Sequence, residues 1–208
     1  ELEEARTMLQ NRLYQETGKS VAVEVLADLL DIKDEQWRNA VEGYMGNNKL
    51  SLIVEPAYAG IAMEIYRELD KEKYYRVAVL DTERVMADDH PVLKDALAEE
   101  VSATRDYVQA YIRFLLGKVV KCASVEELRK CRIGITKDCV MYHSYRIQHI
   151  NPALYTKSAY IGKNSLRQRI RLLEKELAGL EEKEKPQSEI VKEAERLLSF
   201  EHLGQDLA

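Results

Sequence analysis

The sequence predicts a mixed α/β fold, a duplicated two-lobe domain flanked by coiled-coil helices that run antiparallel. Three observations carry this. First, the stretch LADLLDIKDEQWRNAVEGYMG (Leu26–Gly46) is echoed by LAEEVSATRDYVQAYIRFLLG (Leu97–Gly117), at a constant offset of 71 residues. Each opens on Leu-Ala-acid, passes a polar turn, builds a helix and stops on Gly. Second, an apolar strand-like run follows each copy: LSLIVE in the first and KVVKCA in the second. Third, coiled-coil spacing marks both ends. Leu2, Ala5 and Leu9, with Leu13 close behind, open the chain; Leu166, Ile170, Leu173, Leu177 and Leu180 repeat at 4, 3, 4, 3 near its end.

The elements follow in order. Residues Glu1–Gln15 read as a helix stopped by Gly18. VAVEVLADLL leads in through a short strand or turn. Asp34 is placed to cap a helix over Glu35–Tyr44, with Trp37, Val41 and Tyr44 on its buried face. LSLIVE reads as a buried strand closed by Pro56. AYAGIAMEIYRELDKEK reads as a helix with Ile61, Ile65 and Leu69 on its apolar side. YYRVAVLD then reads as a strand parallel to LSLIVE, completing a βαβ unit. TERVMADDHP reads as a loop. In the second copy a helix over 106–116 ends at Gly117, KVVKCA is a strand, and Ser124 caps a short helix. IGIT and CVMYHSYRIQHI read as strands, and Asn151-Pro152 turns the chain. Pro186 is expected to interrupt the last helix. The expected domains are an N-terminal arm 1–17, lobe one 20–90, lobe two 91–163 and a C-terminal arm 164–208.

Composition excludes several classes. The 208 residues are 46% hydrophobic and 32% charged, and no apolar run reaches the ~20 residues that span a bilayer. With a charged N-terminus no signal peptide is expected, and three Cys in no even framework point to a reducing, cytoplasmic compartment. The chain starts inside a helical pattern without an initiator Met, as expected for a piece of a longer protein. Its net charge is −5, unevenly spread: Lys118–Arg171 holds twelve Lys and Arg against three acids. An acidic protein with a basic segment can bind a polyanion locally.

Two near-matches to a phosphate loop lack the small residues that let backbone N–H groups wrap an anion. LYQETGKS has Leu13 and KSAYIGKNS has Lys157 where the first Gly belongs. Cys122, Cys131, Cys139, His143 and His149 contain no Cys-x-x-Cys knuckle, so small core cysteines are expected rather than a metal site. No base stands beside a nucleophile, and the carboxylates read as solvated helix faces. No catalytic, cofactor or metal residue is assigned, and no cofactor is expected. The basic junction is more informative. Lys157, Lys163, Arg167, Arg169 and Arg171 cluster where the lobes meet the heptad helix, the electrostatic footprint of weak, sequence-independent DNA binding.

At this point the pattern resembles the hinge domain of SMC ATPases. Leu26–Leu30, Tyr44–Gly46 and Lys49–Val54 match the first-lobe motifs of that family. Leu115–Val120, Val125–Lys130 and Ile133–Asp138 match the second-lobe motifs. The resemblance covers about residues 20–165, with arms on both sides. Two departures stand out: AYIGKNS carries one Gly where the family has a T-G-G-like segment, and CVMYHSYRIQHINPALYTK is longer than usual. These resemble the SMC-like subunits of the MukBEF (MukB-like condensins) and Wadjet groups, most of all the JetC type of the Wadjet plasmid-defence system. The resemblance implies a homodimerisation module, closed by sheet edges of lobe one meeting lobe two of the partner. It places Asn151, Leu154, Tyr155, Ser158, Tyr160 and Gly162 at that contact. It also implies ATPase heads elsewhere in the full chain, a kleisin among the partners, and a nucleoid-associated role without a membrane. The alternative is a small α/β nucleotide-binding or nuclease-like enzyme domain inserted in a coiled coil.

Overall fold

The computed structural model describes residues 1–162 and, beyond them, residues 173–174, 177–182, 184–187, 190–192, 194 and 196. Contacts divide the chain into two compact units, Glu1–Ser165 and Leu166–Ala208. The first is a mixed α/β body whose core draws on both expected lobes.

Helix α1 (Leu2–Thr17) ends as the sequence predicts. Gly18 takes φ 68°, and its N–H bonds the Tyr14 carbonyl. The seam of α1 is turned inward. Ala5, Leu9 and Leu13 are completely buried in the core of the first unit. Each buried Leu contributes about 1.5–3 kcal/mol. Arg12–Glu68 (2.8 Å) and Lys73–Glu4 (2.5 Å) bridge its flanks to the segment that follows α3 (Ala59–Arg67). The helix expected as a free arm is therefore, over these residues, part of the globular body.

Lobe one continues with β1 (Glu24–Val25), a 3₁₀ turn (Leu26–Leu29), β2 (Leu30–Ile32), a second 3₁₀ turn (Glu35–Trp37) and α2 (Arg38–Met45). Asp34 caps as expected, its carboxylate accepting from the Gln36 N–H at 2.9 Å. A 3₁₀ turn (Gly46–Leu50) leads to β3 (Leu52–Ile53), antiparallel to β1. YYRVAVLD does not form the expected strand. It meets β3 in parallel at one bridge, Leu52–Val79, and the chain then starts α5 (Thr82–Ala87), after the short α4 (Lys71–Tyr74). The stretch read as a loop is thus partly helical because Asp81 caps it, accepting from the Arg84 N–H at 2.9 Å. On α3 the buried residues are Ala59, Ala62 and Ile65; Ile61 is exposed, since small residues let that face lie closer to the core.

Lobe two repeats the plan. A 3₁₀ turn (Leu97–Glu100), β4 (Val101–Ala103) and α6 (Asp106–Leu116) precede β5 (Val120–Cys122), α7 (Val125–Leu128) and β6 (Ile133–Thr136). Ser124 caps α7, accepting from the Glu127 N–H, while the Glu127 carboxylate reaches back to the Ala123 N–H. CVMYHSYRIQHI is not one strand but a hairpin, β7 (Val140–His143) and β8 (Arg146–His149). The turn is Ser144–Tyr145 with φ 53° and 61°. Two left-handed residues make the tight turn of a right-twisted hairpin, and neither is the Gly or Asn that usually signals it. The sheet order is β5-β6-β7-β8, with β5 and β6 parallel.

The duplication is physical. The two 3₁₀ turns, and β2 with β4, occupy ranges related by the 71-residue offset. Leu26 and Leu97, Val41 and Ile112, and Met45 and Leu116 are equivalent pairs, all fully buried. β2 and β4 pair antiparallel with Leu30 opposite Ala103, Asp31 opposite Ser102 and Ile32 opposite Val101. Asp31 and Ser102 are themselves equivalents, so a local two-fold passes between them and joins the lobes.

The paired glycines serve different needs. Gly46 has φ 53°, which L side chains rarely adopt. Gly117 has ordinary helical φ, but a Cβ there would lie 2.3 Å from the Arg113 carbonyl and 3.1 Å from that of Pro91. Gly117→Ala is expected to cost about 3 kcal/mol, the upper range for overpacking, and Gly46→Ala about 2 kcal/mol, the middle of the range for a strained backbone. Urea denaturation of the two variants checks the order.

In the second unit the described residues are helical. Of the predicted heptad run only Leu173, Leu177 and Leu180 lie within the description, and all three are exposed. Pro186 itself lies among helical residues, 184–187; whether it interrupts the helix as expected turns on residues 183 and 188–189, which lie outside the described residues.

Candidate interface at the lobe junction

Behind β8 the chain folds back onto lobe one. The Ile150 N–H bonds the Cys139 carbonyl at 3.0 Å, which closes the hairpin. Asn151 then caps a 3₁₀ turn (Pro152–Leu154), accepting from the Ala153 N–H at 3.0 Å. Ile150 and Tyr155 lie over α2 at Gly43. A Cβ on that residue would come within 3.0 Å of Ile150 and 3.1 Å of Tyr155. A residue with no side chain is what lets the two layers meet.

Buried charge fastens this segment. Glu42, fully buried on α2, accepts from the Ile161 N–H at 2.7 Å through Oε1. Lys49 Nζ, equally buried, stands 2.6 Å from Glu42 Oε2, off the hydrogen-bond line, and donates to the carbonyls of Glu42 (3.1 Å) and Leu154 (2.8 Å). Arg38 donates to the Ile161 carbonyl at 2.8 Å and grips Glu35 with two further N–H groups at 2.5 and 2.6 Å. Burial pushes the Lys49 ammonium below its usual pKa, and the Glu42 carboxylate opposes that shift. The Tyr160 ring lies 5.9 Å from the same ammonium. Gly162, at φ 83°, ends the described segment beside β2: a Cβ there would lie 3.3 Å from Asp31 Oδ1.

The carboxylates read from the sequence as solvated helix faces, and Glu42 is the exception: it is fully buried. Glu35, Arg38 and Glu42 share one helix side, the pattern of a surface ion-pair ladder. Lys49 sits in GNNKL, which reads as a polar turn. Nothing local distinguishes a buried network from an exposed one; the segment that covers it lies over a hundred residues away.

Beside this anchor a groove of about 420 Å³ runs between the lobes, lined by Tyr44, Asn48, Leu115, Met141, Ile150 and Leu154, with Asn151 at its margin. β8 forms one wall. It pairs with β7 alone among the described residues, and Arg146, Ile147, Gln148 and His149 are all exposed. The two-residue turn fixes the pairing pattern: His143 and Arg146, then Met141 and Gln148, exchange hydrogen bonds. The backbone groups of Ile147 and His149 therefore point outward, an open strand edge.

Of the six residues expected at a contact, Asn151 and Leu154 reach the groove. Tyr155 and Tyr160 pack on the core, Gly162 lies against β2, and Ser158 is half-buried. Lys157 is exposed, while Lys163, Arg167, Arg169 and Arg171 lie outside the described residues. Two cations of the basic stretch are engaged elsewhere: Lys121 pairs with Glu99 and Glu100, and Lys137 donates to Gln36 over the Trp37 ring. Cys122 and Cys131 are neighbours, and Cys139 is buried apart from them in contact with Tyr155.

Comparison with known proteins follows the same lines. The model of the SMC proteins Flexible Hinge Domain matches residues 20–131. The hinge domain of the Pyrococcus furiosus SMC protein is 21% identical with TM-score 0.51, over 73% of this chain and 87% of that one. The Pyrococcus furiosus Smc hinge domain with an extended coiled coil gives 21% and 0.51, over 99% of this chain and 78% of that one. The asymmetric dimer of the Geobacillus stearothermophilus SMC hinge domain gives 16% and 0.50, over 87% and 85%. At these identities the structural likeness concerns the fold. Among curated proteins no sequence matches.

Proposed function

The chain belongs to the SMC hinge domain family, and from that premise we propose that it is the homodimerisation hinge of an SMC-like ATPase complex that acts on DNA. The observation that carries this is the open β8 edge beside the inter-lobe groove. An edge strand of one protomer adds to a lobe-one edge of its partner, and the two-fold repeats the contact, so each copy covers the β8 edge of the other. The solved Geobacillus stearothermophilus hinge, itself a dimer, supports the reading. Asn151, Leu154, Tyr155, Ser158, Tyr160 and Gly162 serve this interface in two ways: the first two at the contact, the others by fixing the wall behind it. Lobe one over 20–90 and lobe two over 91–163 are its halves, with the helix over 1–17 packed into the body at the root of one arm and 164–208 supplying the other. Light scattering at micromolar concentrations tests the proposal: a dimer mass is expected, and a persistent monomer at high micromolar overturns it.

The finer reading follows the departures from the common hinge pattern. The long hairpin segment and the single Gly of AYIGKNS favour a MukB-like or Wadjet-type subunit, in chromosome organisation or plasmid defence, nucleoid-associated and joined by a kleisin. DNA contact rests on the basic junction, Lys157, Lys163, Arg167, Arg169 and Arg171. Reversing the charge of Lys163, Arg167 and Arg171 is expected to weaken DNA binding at least tenfold at low salt and to flatten its salt dependence. Fluorescence anisotropy with a duplex of arbitrary sequence measures both, and unchanged affinity removes DNA from the proposal.

A further inference from the structure

Lobe two holds a pair of thiols that the interface does not use. Cys122 ends β5 and Cys131 follows α7, and their Sγ atoms are 3.8 Å apart. That is van der Waals contact, about 1.8 Å beyond a disulfide bond. Both cysteines are free; Cys122 is buried and Cys131 half-exposed. The room they share is made by Gly134 on β6. A Cβ on Gly134 would stand 3.1 Å from Cys122 Sγ, 3.4 Å from Cys131 Cβ and 2.9 Å from a Leu128 methyl. Cys139, the third cysteine, is not part of the pair.

We propose that Cys122 and Cys131 are an oxidisable dithiol, which closes to an intramolecular disulfide on reaction with a small-molecule disulfide of the glutathione class. The geometry assigns the order. Cys131, the more accessible thiol, loses its proton to solvent, and its thiolate attacks one sulfur of the small disulfide. The S–S bond of the reagent breaks, one thiol leaves and takes up a proton, and a mixed disulfide remains on Cys131. Cys122, already in contact, then loses its proton and attacks Cys131 Sγ, expelling the second thiol. Two protein thiols are oxidised, and one small disulfide is reduced to two thiols. Burial pushes the Cys122 thiol up to about 12, with Cys131 adding to the shift, so the second step is slow at neutral pH and accelerates as pH rises. The product staples the crossover between the parallel strands β5 and β6 at its two ends.

The test incubates the chain with oxidised glutathione at pH 8.5, quenches by alkylation and maps peptides without reduction. The expected product is a Cys122–Cys131 crosslink, two hydrogens lighter, with Cys139 alkylated as a free thiol and the melting temperature raised by about 5 °C. Cys122→Ser should stop at a glutathione adduct on Cys131, and Cys131→Ser should react at least tenfold more slowly. Three results overturn the proposal: both thiols remaining alkylatable, stable separate adducts on each, or a crosslink between two chains. Because all readouts are on the monomer's own thiols, they stand apart from the outcome of the dimerisation measurement.

Discussion

Lys49→Met is expected to lower the unfolding free energy by about 3–5 kcal/mol, the cost of leaving a buried charge without its partner. Lys49 and Glu42 are both fully buried, and the lysine is the direct ion-pair partner of Glu42, at 2.6 Å. It also satisfies the carbonyls of Glu42 and Leu154. Methionine fills similar volume, so packing is nearly conserved and the loss is electrostatic. The double variant Glu42→Gln/Lys49→Met should recover part of the loss, since the amide oxygen of the introduced glutamine can still accept from the Ile161 N–H and no charge is stranded. A double-mutant cycle in urea reads the coupling. Hydrogen exchange should show residues 152–162 opening first in Lys49→Met, because Leu154 and Ile161 are held through this network. A stability within about 1 kcal/mol of the parent would mean that the pair is not a fastening of the fold.

Ile147→Pro is expected to weaken self-association sharply while leaving lobe two folded. The Ile147 N–H points away from β7, so proline removes an outward donor and no bond of the β7–β8 ladder. Each donor lost from a buried contact costs about 1–3 kcal/mol, and a two-fold dimer loses it twice. At about 1.4 kcal/mol per factor of ten, the dissociation constant should rise at least about 25-fold. Arg146→Pro is the informative contrast: its N–H faces β7, so that variant should damage the hairpin itself. Sedimentation equilibrium, with circular dichroism as the check on folding, separates the two. A folded Ile147→Pro dimer of parental affinity would place the contact away from β8.

Legibility in the sequence followed how local each signal was. The range 106–116 matched α6 because Val108, Ile112 and Leu116, four residues apart, sit on one face and the glycine after them has a fixed role. Caps at Asp34 and Ser124 were readable because donor and acceptor lie within three residues. The hairpin at Ser144–Tyr145 was not, because its left-handed turn is imposed by pairing rather than announced by Gly or Asn. Nor was the strand expected over YYRVAVLD, where the Asp81 cap takes the chain into α5 after a single bridge.

The sequence by itself determined that this chain is a duplicated α/β domain: equal spacing between equivalent residues is a property of order along the chain, and it survives folding unchanged. Only the tertiary structure decided how the two copies are joined. That joint is the β2–β4 pair with its two-fold between Asp31 and Ser102, and the burial of Glu42 and Lys49 under residues 150–162. A charge is buried or solvated according to what covers it, and here the cover comes from the far end of the other lobe.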